Sequence, residues 1–195
     1  MTLLLAWRDP FCLLSDDVAT DPQTGLAESV GPKIARISDT MACGTAGFDV
    51  LGKEFRQRAA SLPMANWPIF EQEMRALLDE LNGRFPDVPE SMRLSCVAAG
   101  TIEGVRGIAE WRPGALRVAV GMAVFNEFAT GGTGGLVAHV ARNLARIWRP
   151  GTKGLELLEA MVDAAVRTDA YTKPPIWRID LEGGASEPQV WGVST

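Results

Sequence analysis

Apolar residues fall along this chain in different rhythms, and each rhythm predicts a different element. Residues 2–8 (TLLLAWR) and 11–15 (FCLLS) are short, nearly unbroken apolar runs joined at Asp9-Pro10. They predict the two strands of a hairpin, because proline is tolerated in a turn and not inside a ladder. Runs at 34–37 (IARI) and 41–45 (MACGT), flanking Ser38-Asp39, predict a second strand pair. Between these pairs, residues 20–32 carry proline, glycine and polar side chains with no period, which predicts a loop.

From Phe48 the period lengthens. Leu51, Phe55, Ala59 and Leu62 share one helical face, with Lys53, Glu54, Arg56 and Gln57 elsewhere. A second helix is predicted from Asn66 as cap and Pro68 in its first turn, with Phe70, Met74, Leu77, Leu78 and Leu81 at helical spacing until Asn82-Gly83 ends it. Residues 93–120 return to strand-like runs (LSCVAAG, VRGIAEW, ALRVAVG) divided by glycine and proline turns, the pattern of an antiparallel meander.

After the glycine-rich segment ATGGTGG (129–135), Leu136, Val140, Leu144 and Trp148 mark a third helix, and Leu155, Leu158, Val162 and Ala165 a fourth. Arg149-Pro150-Gly151 separates the two, and Thr152 is placed to cap the latter. The runs IWRIDLE and QVWGV predict closing strands around Glu182-Gly183-Gly184.

Strands, two helices, strands, two helices, strands: this order predicts one α/β (α+β) domain over residues 1–195. Hairpin-length connections favour antiparallel pairing, and a four-layer αββα sandwich of two antiparallel sheets satisfies the order. A chain of this length buries roughly 70% of its unfolded surface without staples. With 47% hydrophobic and 22% charged residues, disorder is excluded.

The formal net charge is −5, and the 19 basic residues are scattered, so no Lys/Arg stripe predicts a nucleic-acid or anionic-lipid partner. The apolar start MTLLLAW is broken by Arg8 and Asp9, too soon for a signal-peptide core or a spanning helix. The three cysteines, Cys12, Cys43 and Cys96, cannot all pair and sit in apolar or small-residue stretches, which predicts reduced thiols and a cytoplasmic setting. The single histidine, His139, has no Cys, Asp or Glu at ligand spacing, so neither a metal, a cofactor nor a Cys/His nucleophile is expected.

Four segments along this order carry a resemblance: FCLLSDDVAT (11–20), GPKIARISDTMACGTAG (31–47), ATGGTGG (129–135) and RTDAYT (167–172). Together they resemble proteasome β-type subunits, threonine peptidases among the N-terminal-nucleophile hydrolases. The resemblance covers roughly residues 2–185 and is most specific from Lys33 to Gly47. It implies that Thr2 becomes the nucleophile once Met1 is trimmed, because the freed α-amine, with an ordinary pKa near ~7.7 to 8.0, can take the hydroxyl proton.

It further implies that Lys33 lowers the pKa of that hydroxyl and amine, and that a carboxylate of the first hairpin holds the lysine. Matching the Ser-Asp motif gives Asp16 this role, whereas a two-residue turn at Asp9-Pro10 places Thr2 opposite Asp17. Gly47 is implied as an oxyanion donor through its N–H. Thr133, Asp169 and Thr172 are implied to orient the amine and the hydrolytic water; two of them are threonine where the family usually has serine.

Thr20, Ala35, Thr45, Asp49 and Lys53 look like the family's specificity pocket, here polar with charges of both signs. A peptide or unfolded-protein substrate, a homo-oligomeric ring and an unspecified unfoldase partner are what the resemblance implies. The alternative is a non-catalytic subunit of the same fold, serving assembly or binding.

Overall fold

The computed structural model describes residues 2–20, 27–89, 92–111, 123–124 and 128–192. In chain order its elements are β1 (Leu4–Arg8), β2 (Phe11–Asp16), β3 (Val18–Thr20), β4 (Ala27–Ser29), β5 (Ile34–Arg36), β6 (Met41–Ala46), α1 (Asp49–Ala59) and α2 (Trp67–Gly83). They continue as β7 (Ser95–Ile102), β8 (Val105–Trp111), β9 (Ala123–Val124), β10 (Phe128–Gly131), α3 (Gly132–Trp148), α4 (Gly154–Thr168), β11 (Ile176–Asp180) and β12 (Gln189–Trp191).

One five-stranded sheet has the order β10-β1-β2-β11-β12, the other β5-β6-β7-β8-β9, and β3-β4 form a two-stranded ribbon. Among the described residues every pairing is antiparallel. The protein is therefore a mixed α+β structure with antiparallel sheets.

The unbroken apolar runs have a physical cause, since both faces of the central strands are covered. On β1 and β2, Leu4, Ala6, Phe11 and Leu13 pack against Ile34, Ala42, Val97, Ala99 and Ile108 of the other sheet. Their alternates Leu3, Leu5, Trp7, Cys12 and Leu14 meet Ala138 of α3 and Leu157, Leu158, Met161 and Val162 of α4. On the far side, Met41, Cys43, Cys96 and Ala98 pack under Leu51 and Phe55 of α1 and Phe70, Met74 and Leu78 of α2. Successive strand side chains point to opposite faces, so each run feeds two cores at once.

The first hairpin closes around Asp9-Pro10 with Leu4 opposite Ser15 and Arg8 opposite Phe11. Asn66 caps α2, its side chain accepting from the Ile69 N–H at 3.0 Å. Four expectations change. The predicted loop at 20–32 contains β4, which pairs with β3. The third helix begins at Gly132, inside ATGGTGG rather than after it, and the start of that segment ends β10. Thr152 caps nothing, because α4 starts at Gly154 with Lys153 at its cap position and no side-chain bond there. Leu62 lies beyond the end of α1 and packs on the core from outside the helix.

The largest departure concerns α3. The apolar stripe that marks this helix points outward, with Leu136 58%, Val140 49%, Leu144 49% and Trp148 79% exposed, and Leu155 of α4 is likewise 46% exposed. The buried positions of α3 are Gly134, Gly135, Ala138 and Arg142. Met1 and the predicted strand ALRVAVG at 115–121 lie outside the described residues. Among the described residues, no helix is long and apolar enough to cross a membrane.

Candidate active site

The hairpin brings Thr2 and Asp16 to one end of β1 and β2, where the Asp16 N–H donates to the Leu3 carbonyl at 3.3 Å. Lys33 arrives from the other sheet and is pinned from both sides. Its N–H donates to Ser15 Oγ at 3.2 Å, and its carbonyl accepts from the Thr45 N–H at 3.0 Å. The side chain then runs inward and is almost wholly buried. Its Nζ bonds Thr2 Oγ1 and the Val18 carbonyl, with Asp16 Oδ1 at 3.5 Å.

Of the two candidate aspartates, Asp16 is the one beside Lys33. Asp17 turns the other way, accepting from Ser29 Oγ at 2.7 Å while its carbonyl accepts from the Val30 N–H at 2.7 Å. The register arithmetic presumes a ladder running on to residue 17, but β2 ends at Asp16 and the chain turns there into the β3–β4 ribbon.

Burial governs the electrostatics of this trio. It pushes the Asp16 carboxyl up to about 7, against the downward pull of the Lys33 charge. It also lowers Lys33 from 10.5, against the upward pull of Asp16. Both groups are driven toward their neutral forms because burial outweighs a loose 3.5 Å ion pair, and among the described residues Asp16 Oδ2 has no hydrogen-bond partner. Three acceptors surround Nζ. As an ammonium it donates to all three; as an amine it donates to two and turns its lone pair to the third, so a proton can pass from Thr2 Oγ1 to Lys33.

This burial has a measurable consequence. The folded chain holds the Asp16 proton more tightly than the unfolded chain does, so its contribution favours folding below pH ~4 and is lost as pH rises through about 7. Urea titrations between pH 4 and 8 will show the wild type losing stability relative to Asp16→Asn as pH increases. A constant difference between the two proteins would contradict the burial argument.

A second cluster lies on the other side of Thr2. Asp169, at the C-cap of α4, accepts on Oδ2 from Thr133 Oγ1 at 3.0 Å and from Thr172 Oγ1 at 2.7 Å. The glycines of α3 press this cluster onto the start of the chain. A Cβ on Gly132, whose φ is +71°, would fall 1.9 Å from the Thr2 carbonyl oxygen. One on Gly134 would fall 2.1 Å from Thr172 Oγ1 and 3.0 Å from Leu3 Cβ. The glycine-rich segment is thus the face that lets the first turn of α3 touch the Thr2–Leu3 backbone. The positive end of the helix axis is set beside Thr2.

The third group stands on β6 and α1. Thr45 is buried, and its hydroxyl accepts from Arg56 Nη1. Asp49 and Lys53 pair with each other at 2.9 Å, so the charges of both signs expected here neutralise one another. Ala35 is half-buried on β5, and Thr20 ends β3 opposite Ala27. Gly47 has φ +115°, and a Cβ there would lie 2.5 Å from the Arg93 carbonyl oxygen, reason enough for glycine before α1.

Four participants are absent from the sequence reading: Ser15, the Val18 carbonyl, Ser29 and Arg56. Only Arg56 carried a signal, since Asp49, Gly52, Lys53 and Arg56 fall at i, i+3, i+4 and i+7 and so share one helical face. His139 packs on the Phe128 ring at 5.3 Å between centroids, and Cys12, Cys43 and Cys96 are buried free thiols. Among the described residues, no group of three or more His, Cys, Asp or Glu side chains is placed to hold a metal ion. No protein-family model matches this chain, and no curated protein matches it.

Proposed function

We propose that this protein is a threonine-type N-terminal-nucleophile hydrolase that cleaves peptide bonds, with the αββα sandwich of the proteasome β-type subunits. The single observation that carries the reading is the buried contact of Lys33 Nζ with Thr2 Oγ1 beside Asp16. Two face-to-face sheets with a helix pair against each outer face support the sandwich.

In this reading, removal of Met1 frees the Thr2 amine. Lys33, rather than the freed amine that the resemblance implies, takes the Oγ1 proton, its pKa being lowered by burial, and Oγ1 attacks the substrate carbonyl. The tetrahedral oxyanion is met by the Gly47 N–H and by the positive end of α3. The proton passes to the departing amine as the C–N bond breaks, leaving an ester on Thr2. Water, oriented by Thr133, Asp169 and Thr172, then hydrolyses that ester. Asp16 serves as the lysine's carboxylate, and Asp17 is left to the β3–β4 ribbon.

Intact mass and a peptide-hydrolysis assay test this together. Loss of Met1 with measurable cleavage is expected. Retention of Met1 in protein made in a processing-competent cytoplasm sinks the hydrolase reading. The alternative, a non-catalytic subunit of the same fold, is favoured by one observation: Thr2 is only 2% exposed.

The protein is also proposed to act as a homo-oligomeric ring in the cytoplasm, with unfolded chains as substrate and an unfoldase of unknown identity feeding it. The support for assembly is the outward stripe of Leu136, Val140, Leu144, Ile147 and Trp148 on α3, a row of large apolar side chains on one helix face. Leu144→Asp together with Trp148→Asp is expected to shift the protein to monomer in sizing at micromolar concentration. A wild-type protein that already elutes as a monomer would contradict the ring.

A further inference from the structure

We infer that Arg56 recognises a carboxylate of the substrate, so that this site takes peptides with aspartate or glutamate at the residue whose carbonyl is attacked. The inference rests on the hydrolase reading and names its substrate class.

The guanidinium of Arg56 is partly buried against the floor of the region next to Lys33. Its Nη1 donates to Thr45 Oγ1, and the Thr45 N–H in turn holds the Lys33 carbonyl at 3.0 Å. Arg56 is also close enough for its charge to oppose that of Lys33. The chain Arg56, Thr45, Lys33, Thr2 is therefore continuous through named contacts.

An arginine placed so normally has an anion beside it, because a partly desolvated guanidinium with empty N–H groups is costly. Among the described residues, no carboxylate lies within ion-pair distance. Asp49, two turns back on α1, pulls the Arg56 pKa upward from a distance but is itself held by Lys53 at 2.9 Å, and Glu54 is held by Arg58 at 3.3 Å and Arg84 at 2.9 Å. The neighbouring Cys96 thiol is raised well above its ordinary value by burial, so it stays neutral and supplies no charge. Arginine itself stays protonated at any working pH, although burial lowers its pKa.

The helix makes room for this guanidinium at a cost to itself. Gly52 sits in the interior of α1, where glycine weakens a helix, and a Cβ there would lie 2.7 Å from Thr45 Oγ1 and 3.3 Å from Arg56 Nη1. Space is kept open for the Arg56–Thr45 contact. One N–H of the fork is used by Thr45, and those left over match the two oxygens of a carboxylate, which arginine binds with paired hydrogen bonds.

Peptides differing only at the residue before the cut (Glu, Asp, Gln, Leu or Lys) test this on the Met1-free protein, with Arg56→Leu and Arg56→Lys beside the wild type. The Glu-to-Gln ratio of kcat/KM is expected to be at least about tenfold in the wild type and to collapse toward one in Arg56→Leu, with Arg56→Lys between them. Calorimetric binding of the Glu and Gln peptides to Thr2→Ala gives the same comparison without turnover, and Arg56→Gln serves if Arg56→Leu does not fold.

Cleavage with no acid preference, or with a preference unchanged in Arg56→Leu, overturns the inference and leaves the hydrolase reading standing. Acid-selective, Arg56-dependent binding without cleavage of any peptide overturns the hydrolase reading and keeps the recognition by Arg56. Neither cleavage nor selective binding overturns both.

Discussion

Thr2→Ala, made in the chain freed of Met1, is expected to lower peptide hydrolysis by at least about 10³-fold while the protein stays folded, as judged by circular dichroism and urea titration. The substitution deletes the hydroxyl proposed to form the ester, and the γ-methyl with it, whereas the backbone packing of Thr2 against Gly132 remains. The hydroxyl bonds Lys33 in a buried setting, so its loss costs about 1–2 kcal/mol of stability, far less than unfolds a domain. Thr2→Ser keeps the hydroxyl and is expected to keep a substantial part of the rate. Equal rates for Thr2→Ala and the wild type would show that another group does the chemistry, or that the cleavage comes from a contaminant.

The second large effect is at Lys33. Lys33→Met fills similar space without charge, removing both the proposed proton acceptor and the partner of Asp16. Under the hydrolase reading, hydrolysis is expected to fall by about 10²- to 10⁴-fold, the usual range for a lost general base. Stability is expected to fall by about 3–5 kcal/mol at pH 8, because the fully buried Asp16 loses its counter-charge and must either stay an unpaired anion or take up a proton at that pH.

The penalty depends on pH in a known direction. Asp16 already titrates near 7, and without Lys33 it titrates higher still. At pH 5 the lone carboxyl is therefore protonated, and the loss is smaller than at pH 8. Adding Asp16→Asn to Lys33→Met recovers part of the stability at pH 8 and none of the activity. A penalty equal at both pH values would mean that Asp16 is not the group left unpaired.

The sequence made some of this legible through periodicity. Phe70, Met74, Leu77, Leu78 and Leu81 were placed on the buried face of α2 because large apolar side chains at helical spacing have one stable destination. The first hairpin was readable because Asp9-Pro10 divides two apolar runs, and Lys33 and Gly47 stand at the two ends of a strand pair that the residues themselves delimit. The segments of the site were therefore visible before their arrangement was.

Two features could not be read in this way. The leucines and tryptophan that mark α3 do not mark its buried face, because the helix is buried through Gly134, Gly135 and Ala138, residues whose value lies in what they lack. Their small size brings the helix onto the Leu3–Leu4 backbone, a contact that no period in the sequence announces. Arg56 was set among the polar residues away from the apolar stripe, and only the path of β6 beneath α1 gives it Thr45 as a neighbour.

The choice between Asp16 and Asp17 separates the two levels. By itself the sequence determined an antiparallel α+β chain, the hairpin, the helices and the residue types gathered near Thr2, because these follow from local propensity and side-chain period. Only the tertiary structure decided that Asp16 faces Lys33, that Asp17 belongs to Ser29, and that α3 turns its apolar row outward. Each of those outcomes depends on where a ladder stops or how closely two backbones approach, quantities set by packing between segments distant in sequence.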